Sequence, residues 1–105
     1  MITILRTDAF DLWLTKLKDA RGKARIIERI RSAERNHFGD CGSIGRGVSE
    51  MRIHFGPGYR VYFTRIGDVV YVLLCGGNKR GQQRDIVKAQ KMVRLVTEER
   101  KHEEN

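Results

Sequence analysis

The sequence has few of the residues that build disulfide or zinc frameworks. Its two cysteines, Cys41 and Cys75, stand outside any Cys-x-x-Cys or Cys/His spacing, so the pattern predicts a reduced pair and no metal site. No stretch approaches the roughly 18 consecutive apolar residues of a membrane span, and the first residues do not form a signal-peptide pattern. We therefore expect a cytoplasmic protein with no membrane partner and no cofactor.

Acidic residues are also scarce, because 13 Asp and Glu face 21 Lys and Arg and leave a net charge of +8 on 105 residues. No carboxylate pair of the glycosidase kind and no serine or cysteine nucleophile signature is evident. The length predicts a single domain over residues 1–105 with one core. Such an excess of positive charge favours a polyanionic partner, with nucleic acid as the first candidate.

The hydrophobic periodicity changes from helical to extended near the middle of the chain. Thr7 or Asp8 can cap a first helix, and Gly22 is expected to interrupt the chain before a second helix, so that the two form a hairpin. Their apolar faces are Phe10, Trp13, Leu14 and Leu17, then Ala24, Ile27, Ile30 and Ala33. The predicted strands are 2–5, 43–46, 48–55, 59–64 and 69–75, and a last helix is predicted over 82–100. This order, β-α-α-β-β-β-β-α, predicts an α+β two-layer domain with an antiparallel sheet.

A three-residue loop at 56–58 would place Arg52, His54, Arg60 and Tyr62 on one face, away from the core. In that register His54 is opposite Arg60, and Arg52 is opposite Tyr62. The clustered positive charges repel one another unless an anion is present, which favours a phosphate site. Lys79, after the Gly76-Gly77 pair, is expected to reach the same phosphate from the rim.

A phosphate site with a histidine is suited to metal-independent RNA cleavage by the ribose 2′-OH. This reaction needs a base, an acid and positive charge on the phosphate. His54 has the natural pKa range for proton transfer, while Arg52 and Arg60 suit the charge role. Lys79 or Tyr62 is the candidate for the second proton transfer. Arg46 and Arg80 complete the residues expected to contact RNA phosphates.

Several segments of the chain resemble the RelE/ParE toxin superfamily, and most closely its HigB-like branch of addiction module killer proteins. They are EMRIHFGPGYRVYF at 50–63, LLCGGNK at 73–79, QRDI at 83–86, FDLWL at 10–14, RGKARI at 21–26, FGDC at 38–41 and GVSE at 47–50. The resemblance extends roughly over residues 10–96. It implies a RelE-like fold, with a two-helix hairpin on a twisted antiparallel sheet.

The resemblance also implies a toxin that enters the ribosomal A site and cuts mRNA there. Its partners would be a small helix-turn-helix antitoxin and, through the antitoxin complex, promoter DNA. By motif position, Arg60 matches the phosphate-binding arginine, Lys79 the basic residue after the double glycine, and Arg52 and His54 the strand with further active-site groups. Asn78 and Arg80 depart from the pattern, which often has an acidic and a small hydroxyl residue there.

Two other functions are compatible with the same sequence. A ParE-like gyrase poison would share the fold without having an active site, although it has no need of a His54–Arg60 pairing. A non-catalytic module that binds nucleic acid or an antitoxin would use only the positive charge. The fold alone does not distinguish these functions from a ribosome-dependent endoribonuclease.

Overall fold

The computed structural model describes the backbone of residues 1–104 and the side chains of residues 1–98. The order of helices and strands that the sequence predicts is confirmed. The elements are β1 (Thr3–Arg6), α1 (Asp8–Lys16), α2 (Ala20–Glu34), β2 (Cys41–Gly45), β3 (Val48–Ile53), β4 (Tyr59–Arg65), β5 (Val70–Asn78) and α3 (Gln82–Glu104), with a 3-10 turn (Lys79–Gly81) before α3. No helix in the described part of the chain is both long enough and apolar enough to cross a membrane.

The protein is an α+β structure whose five strands form one mixed sheet in the order β1-β5-β4-β3-β2. Neighbours from β2 to β5 run antiparallel, but β1 runs parallel to β5, with Leu5 beside Val72. The prediction of a wholly antiparallel sheet is therefore wrong at β1. Tight turns fix the direction of the last strands, whereas β1 is separated from β5 by both helices and three strands, so no turn sets its direction.

The helices cover both faces of the sheet, so the prediction of two layers is wrong. We call the side under α1 and α2 the α1–α2 face, and the side under the last helix the α3 face. The core of the first consists of Phe10, Leu14, Ile26, Ile30, Ala33, Met51, Ile53, Tyr59, Val61, Phe63 and Leu73. The core of the second consists of Val48, Tyr62, Val72, Leu74, Cys75 and Ala89. Apolar residues at consecutive positions of β4 and β5 serve both cores.

The first two helices begin at side-chain caps. The Thr7 hydroxyl accepts the Phe10 N–H at 3.1 Å, which confirms the predicted cap of α1. Asp19 caps α2 by accepting the Gly22 N–H at 3.0 Å, so Gly22 lies in the first turn of α2 and does not interrupt the chain. An added Cβ at Gly22 would lie 2.5 Å from the Tyr59 ring, so this glycine permits close packing of α2 on β4.

The hairpin of β3 and β4 has a longer connection than the predicted three-residue loop. Ile53 pairs with Tyr59 and Arg52 pairs with Arg60, so the connection runs from 54 to 58. The predicted pairings of His54 with Arg60 and of Arg52 with Tyr62 are therefore wrong. Because the register differs by two residues, each strand residue keeps its predicted face.

Candidate functional site

Three chain segments meet at one end of the sheet and carry most of the predicted site residues. They are the end of β3, the start of β4 and the end of β5, where Arg52 pairs with Arg60 and Arg60 pairs with Gly77. The Lys79 N–H donates to the Gly58 carbonyl at 2.8 Å, which holds the 3-10 turn beside this end. We call Arg52, His54, Arg60 and Lys79 the basic cluster.

A carboxylate that the sequence analysis missed lies within the basic cluster. Glu50 is only 2% exposed, and its Oε1 is 3.1 Å from Arg60 Nε and 3.3 Å from Arg52 Nε. Gln82, at the start of α3, donates to the same oxygen at 3.1 Å. The anion that the clustered arginines require is thus supplied by the chain itself. The sequence could have revealed Glu50, because alternate residues of a strand share a face and Glu50 is two residues before Arg52.

Arg60 lies within the structure rather than at an open phosphate site. Its side chain is 9% exposed, and besides the ion pair with Glu50 its Nη1 donates to the Tyr59 carbonyl at 3.2 Å. The expectation that Arg60 binds an exposed phosphate is wrong, since its side chain is buried and paired with Glu50. Arg60 can therefore position the strand ends, but it presents little surface to a ligand.

Tyr62 is also placed where the predicted proton transfer cannot occur. Its side chain is fully buried under α3, and its hydroxyl has no hydrogen-bond partner among the described residues. Burial, followed by the charge of Glu50, raises the pKa of Tyr62 far above its ordinary value of 10.0. The phenol therefore stays protonated and out of contact with solvent, and the catalytic role predicted for Tyr62 is corrected.

His54 lies just beyond β3 and is paired with Asp40, which precedes β2. His54 Nε2 is 2.5 Å from Asp40 Oδ2, and Arg52 Nη1 donates to Asp40 Oδ1 at 2.9 Å. The hydrogen bond from His54, followed by that from Arg52, lowers the pKa of Asp40 below its ordinary 3.8. The His54 side chain is 68% exposed, and Nδ1 is the ring nitrogen that remains for a substrate. Asp40 was not foreseen, because no periodic pattern surrounds it.

Two further features fix the position of Arg52. Gly42 of β2 leaves space for its guanidinium, because an added Cβ would lie 2.6 Å from Arg52 Nη2. Arg29 of α2 donates to the Arg52 carbonyl at 2.6 Å and to the Phe38 carbonyl at 2.9 Å. The strand end beside Asp40 is thus tied to α2 by Arg29.

Lys79 and Arg80 form the exposed rim of the site. Asn78 caps the 3-10 turn by accepting the Arg80 N–H at 2.9 Å. Two strand spacings, about 10 Å, separate the end of β5 from that of β3. The long side chains of Lys79 and Arg52 can therefore bind oxygens of the same phosphodiester segment.

The structure does not bring Arg46 to the basic cluster. Arg46 lies in the turn between β2 and β3, with a φ of 56°. The neighbouring Gly47 accepts a hydrogen bond from Thr64 at 2.6 Å, and Thr64 is four residues along β4 from Arg60. Four extended residues span about 13 Å, so Arg46 is at the opposite end of the sheet.

The exposed part of this site combines an oriented imidazole with an excess of positive charge. Asp40 and Glu50 balance the charges of Arg52 and Arg60, so Lys79 and Arg80, both exposed, supply the excess positive charge. The Arg52 side chain is 33% exposed, so part of its guanidinium remains accessible to an anion. A carboxylate that holds one imidazole nitrogen leaves the other in a defined place for acid–base work. Within residues 1–98, no three side chains of His, Cys, Asp or Glu lie close enough to hold a metal ion together.

Comparison with known proteins gives one informative relative. Over 98 residues the chain is 44% identical to a Haemophilus influenzae protein named "Uncharacterized protein", and the match covers 93% of this chain and 95% of that protein. No family model and no solved structure matches. Identity of this level over nearly the full length of both chains shows that this chain and the Haemophilus influenzae protein belong to one family.

Proposed function

We propose that the protein is the toxin of a type II toxin–antitoxin system in the HigB-like branch of the RelE/ParE superfamily. It acts in the cytoplasm as a ribosome-dependent, metal-independent mRNA endoribonuclease that inhibits translation. The observation that carries the proposal is the exposed His54, held through Nε2 by Asp40 beside Arg52, at the same end of the sheet as Lys79. The α+β architecture, in which two helices precede the antiparallel strands β2–β5, is compatible with the proposal.

The proposed reaction is attack of a ribose 2′-oxygen on the adjacent phosphorus. His54 Nδ1 takes the 2′-OH proton, a bond forms between the 2′-oxygen and phosphorus, and the bond to the 5′-oxygen breaks. Lys79 gives a proton to the departing 5′-oxygen. Arg52 and Arg80 stabilise the charge on the phosphoryl oxygens, and the products are a 2′,3′-cyclic phosphate and a 5′-OH end.

Arg60 and Glu50 are positioning residues in this mechanism. Their ion pair is buried, and Glu50 also contacts Arg52. The pair therefore fixes the guanidinium of Arg52 relative to the strand ends. Tyr62 has no part in the proton transfers, because its hydroxyl is buried.

The direct test is induced expression of the chain in a bacterial host, with growth and transcript integrity as readouts. Wild-type protein is expected to arrest growth and to leave transcripts cut inside reading frames. His54→Ala and Lys79→Ala are expected to lower cleavage by about 10²–10⁴-fold, the usual cost of losing a positioned acid or base. Both residues are exposed, so the variants should stay folded.

Two exposed residues away from the site provide matched controls. His37→Ala removes an imidazole and Lys91→Ala removes an ammonium, and both variants should remain toxic. Full toxicity of His54→Ala and Lys79→Ala would refute the site. Growth arrest with intact transcripts and damaged DNA would refute the nuclease and favour a gyrase poison.

The proposal includes a helix-turn-helix antitoxin encoded beside this chain, which neutralises it and carries it to promoter DNA. Co-expression of the neighbouring small reading frame should restore growth of cells that produce the wild-type chain. A gel-shift assay with the upstream promoter should then show binding by the complex and weaker or no binding by this chain alone. A neighbour that neither restores growth nor binds the chain would contradict this part of the proposal.

A further inference from the structure

A groove lies at the outer edge of β5, on the other side of that strand from Arg60. The pairing of β1 with β5 ends at Arg6 and Leu73, so beyond this point the outer edge of β5 has no neighbouring strand. The groove has a volume of about 450 Å³. Its lining includes Trp13, Gly76, Gly77, Arg84, Asp85 and Lys88.

One wall of the groove is the indole of Trp13, the single tryptophan of the chain. Its ring lies against Gly76, where the absence of a Cβ lets it approach the β5 backbone. Contacts with Phe10 and Tyr59, at centroid distances of 5.8 and 6.3 Å, fix the ring from the core side. Trp13 is half-buried, so part of the indole remains available for stacking by a planar ligand.

The lining of the groove also includes a carboxylate whose hydrogen-bonding capacity is unused. Asp85, in the first turn of α3, lies over Gly77, and its side chain is 13% exposed. Within the described residues its carboxylate oxygens accept no hydrogen bond, and the ion pair with Arg84 Nε is long at 3.8 Å. Burial raises the pKa of Asp85 above its ordinary 3.8, because partners that would replace the lost water are missing.

We propose that this groove binds a guanine base of the RNA substrate, stacked on Trp13 and hydrogen-bonded to Asp85. A carboxylate presents two parallel acceptors, and guanine has two adjacent donors on one edge, N1–H and the N2 amino group. Adenine and cytosine offer a single amino group beside a ring acceptor, which would face the second carboxylate oxygen. Arg84 and Lys88 lie where they can neutralise the flanking phosphates.

The groove is near enough to the basic cluster to hold a neighbouring nucleotide. Gly77 lines the groove and pairs with Arg60 on the adjacent strand, about 5 Å away. Asn78, also in the lining, leads directly to Lys79. The inference rests on the proposed function in one respect, since it assigns the base to the RNA that is cut at the basic cluster.

The test uses the fluorescence of Trp13, which reports on the groove alone. The probes are the 2′-O-methyl trinucleotides UGU and UIU, which lack the 2′-OH needed for cleavage and differ only in the N2 amino group of the central base. UGU is expected to quench the fluorescence and to bind at least tenfold more tightly than UIU, because a hydrogen bond to a charged group is lost in UIU. UAU is expected to bind at least as weakly as UIU.

Three variants separate base recognition from phosphate binding. Asp85→Asn should remove the preference for UGU, and it should remain folded, since it relieves a buried carboxylate of its charge. Asp68→Asn makes the same change in the exposed turn before β5, at the far end of that strand, and should keep the preference. Lys79→Ala should weaken all three probes by a similar factor, because it removes a phosphate contact.

The outcomes distinguish this inference from the proposed nuclease. Equal binding of UGU and UIU, or an unchanged preference in Asp85→Asn, would overturn the guanine site even if the chain cuts mRNA. Absence of quenching by UGU would overturn it as well. An Asp85-dependent preference in a chain that leaves transcripts intact would uphold the binding site and refute the nuclease.

Discussion

The two faces of the sheet differ in the kinds of side chain that they bury. Every buried residue of the α1–α2 core belongs to an apolar or aromatic type, and Tyr59, which has a hydroxyl, donates it to Asp19 at 2.7 Å. The α3 face has no buried charge at one end, around Val48 and Leu74, where the only buried polar side chain among the described residues is that of Thr64, but at the other end it buries Glu50 and Arg60. One face is therefore a simple core, whereas the other is partly core and partly site.

The difference shows which interactions stabilise the fold and which position the site. Burial of apolar side chains contributes roughly 25 cal/mol per Å², and this contribution has no opposing charge penalty. An ion pair as buried as that of Glu50 and Arg60 roughly breaks even against apolar residues of similar size, because desolvation offsets the attraction. We infer that the pair is present for the geometry of Arg52 and the strand ends, and that the stability of the fold comes mainly from the α1–α2 face.

The largest effect is expected on the apolar face. Phe10 is fully buried in the α1–α2 core, so Phe10→Ala removes a large side chain and leaves a cavity. The free energy of unfolding should fall by about 3–5 kcal/mol, as measured by urea denaturation. A loss below 1 kcal/mol would show that this face does not dominate stability.

Removal of one partner of the Glu50–Arg60 ion pair should lower the free energy of unfolding more than removal of both. Glu50→Ala leaves Arg60 buried without its carboxylate, and we expect a loss of about 3 kcal/mol. The double variant Glu50→Met/Arg60→Met removes both charges and should recover most of that stability while abolishing RNA cleavage. If the double variant is less stable than Glu50→Ala, the pair is a source of stability and the contrast between the faces fails.

A smaller change of the opposite sign is expected at Tyr62. Its hydroxyl is buried without a partner among the described residues, so Tyr62→Phe should raise the free energy of unfolding by about 1 kcal/mol. Cleavage and growth arrest should be unchanged. Loss of cleavage in a folded Tyr62→Phe protein would return this phenol to the catalytic site.

The smallest effect concerns pH and the exposed pair of Asp40 and His54. The folded-state pKa of Asp40 is lower than the ordinary 3.8, so its ion pairs contribute stability above that pH and lose it as the pH falls through the folded-state pKa. Asp40→Asn should therefore be slightly less stable than wild type at pH 7, and the difference should vanish in strong acid. Urea denaturation of both proteins at pH 7 and in strong acid checks this prediction. A stability difference between wild type and Asp40→Asn that grows in acid would contradict the assignment of the ion pairs.

The sequence predicted the order of elements and the face of each strand residue better than their partners. Alternation in β3 and β4 places Arg52 and Arg60 on one face whatever the turn, because a shift by two residues preserves the face. The pairing depended on the length of the connection at 54–58, and nothing local reveals that it has five residues. β5 also exceeds its predicted range by three residues, because glycines do not mark it as a strand.

The burial of Arg60 and Tyr62 could not be predicted from the residues themselves. Placement of α3 over Tyr62 depends on tertiary packing, although the apolar residues at Val48 and Tyr62 were a signal that the second face is covered. Glu50 was detectable by the same alternation that gave Arg52. Asp40 and Asp85 could not be detected in this way, because Asp40 lies in a loop and Asp85 lies at the start of a helix.

The proposed cleavage is tested most directly by a purified translation reaction in which mRNA is bound to ribosomes and its cut ends are mapped. Wild-type protein should cut within the A-site codon, and His54→Ala and Lys79→Ala should not. A 2′-O-methyl group at the mapped position should block cleavage, since the attacking oxygen is then capped. Intact mRNA with the wild-type protein, or cleavage that persists beside the 2′-O-methyl group, would contradict the account.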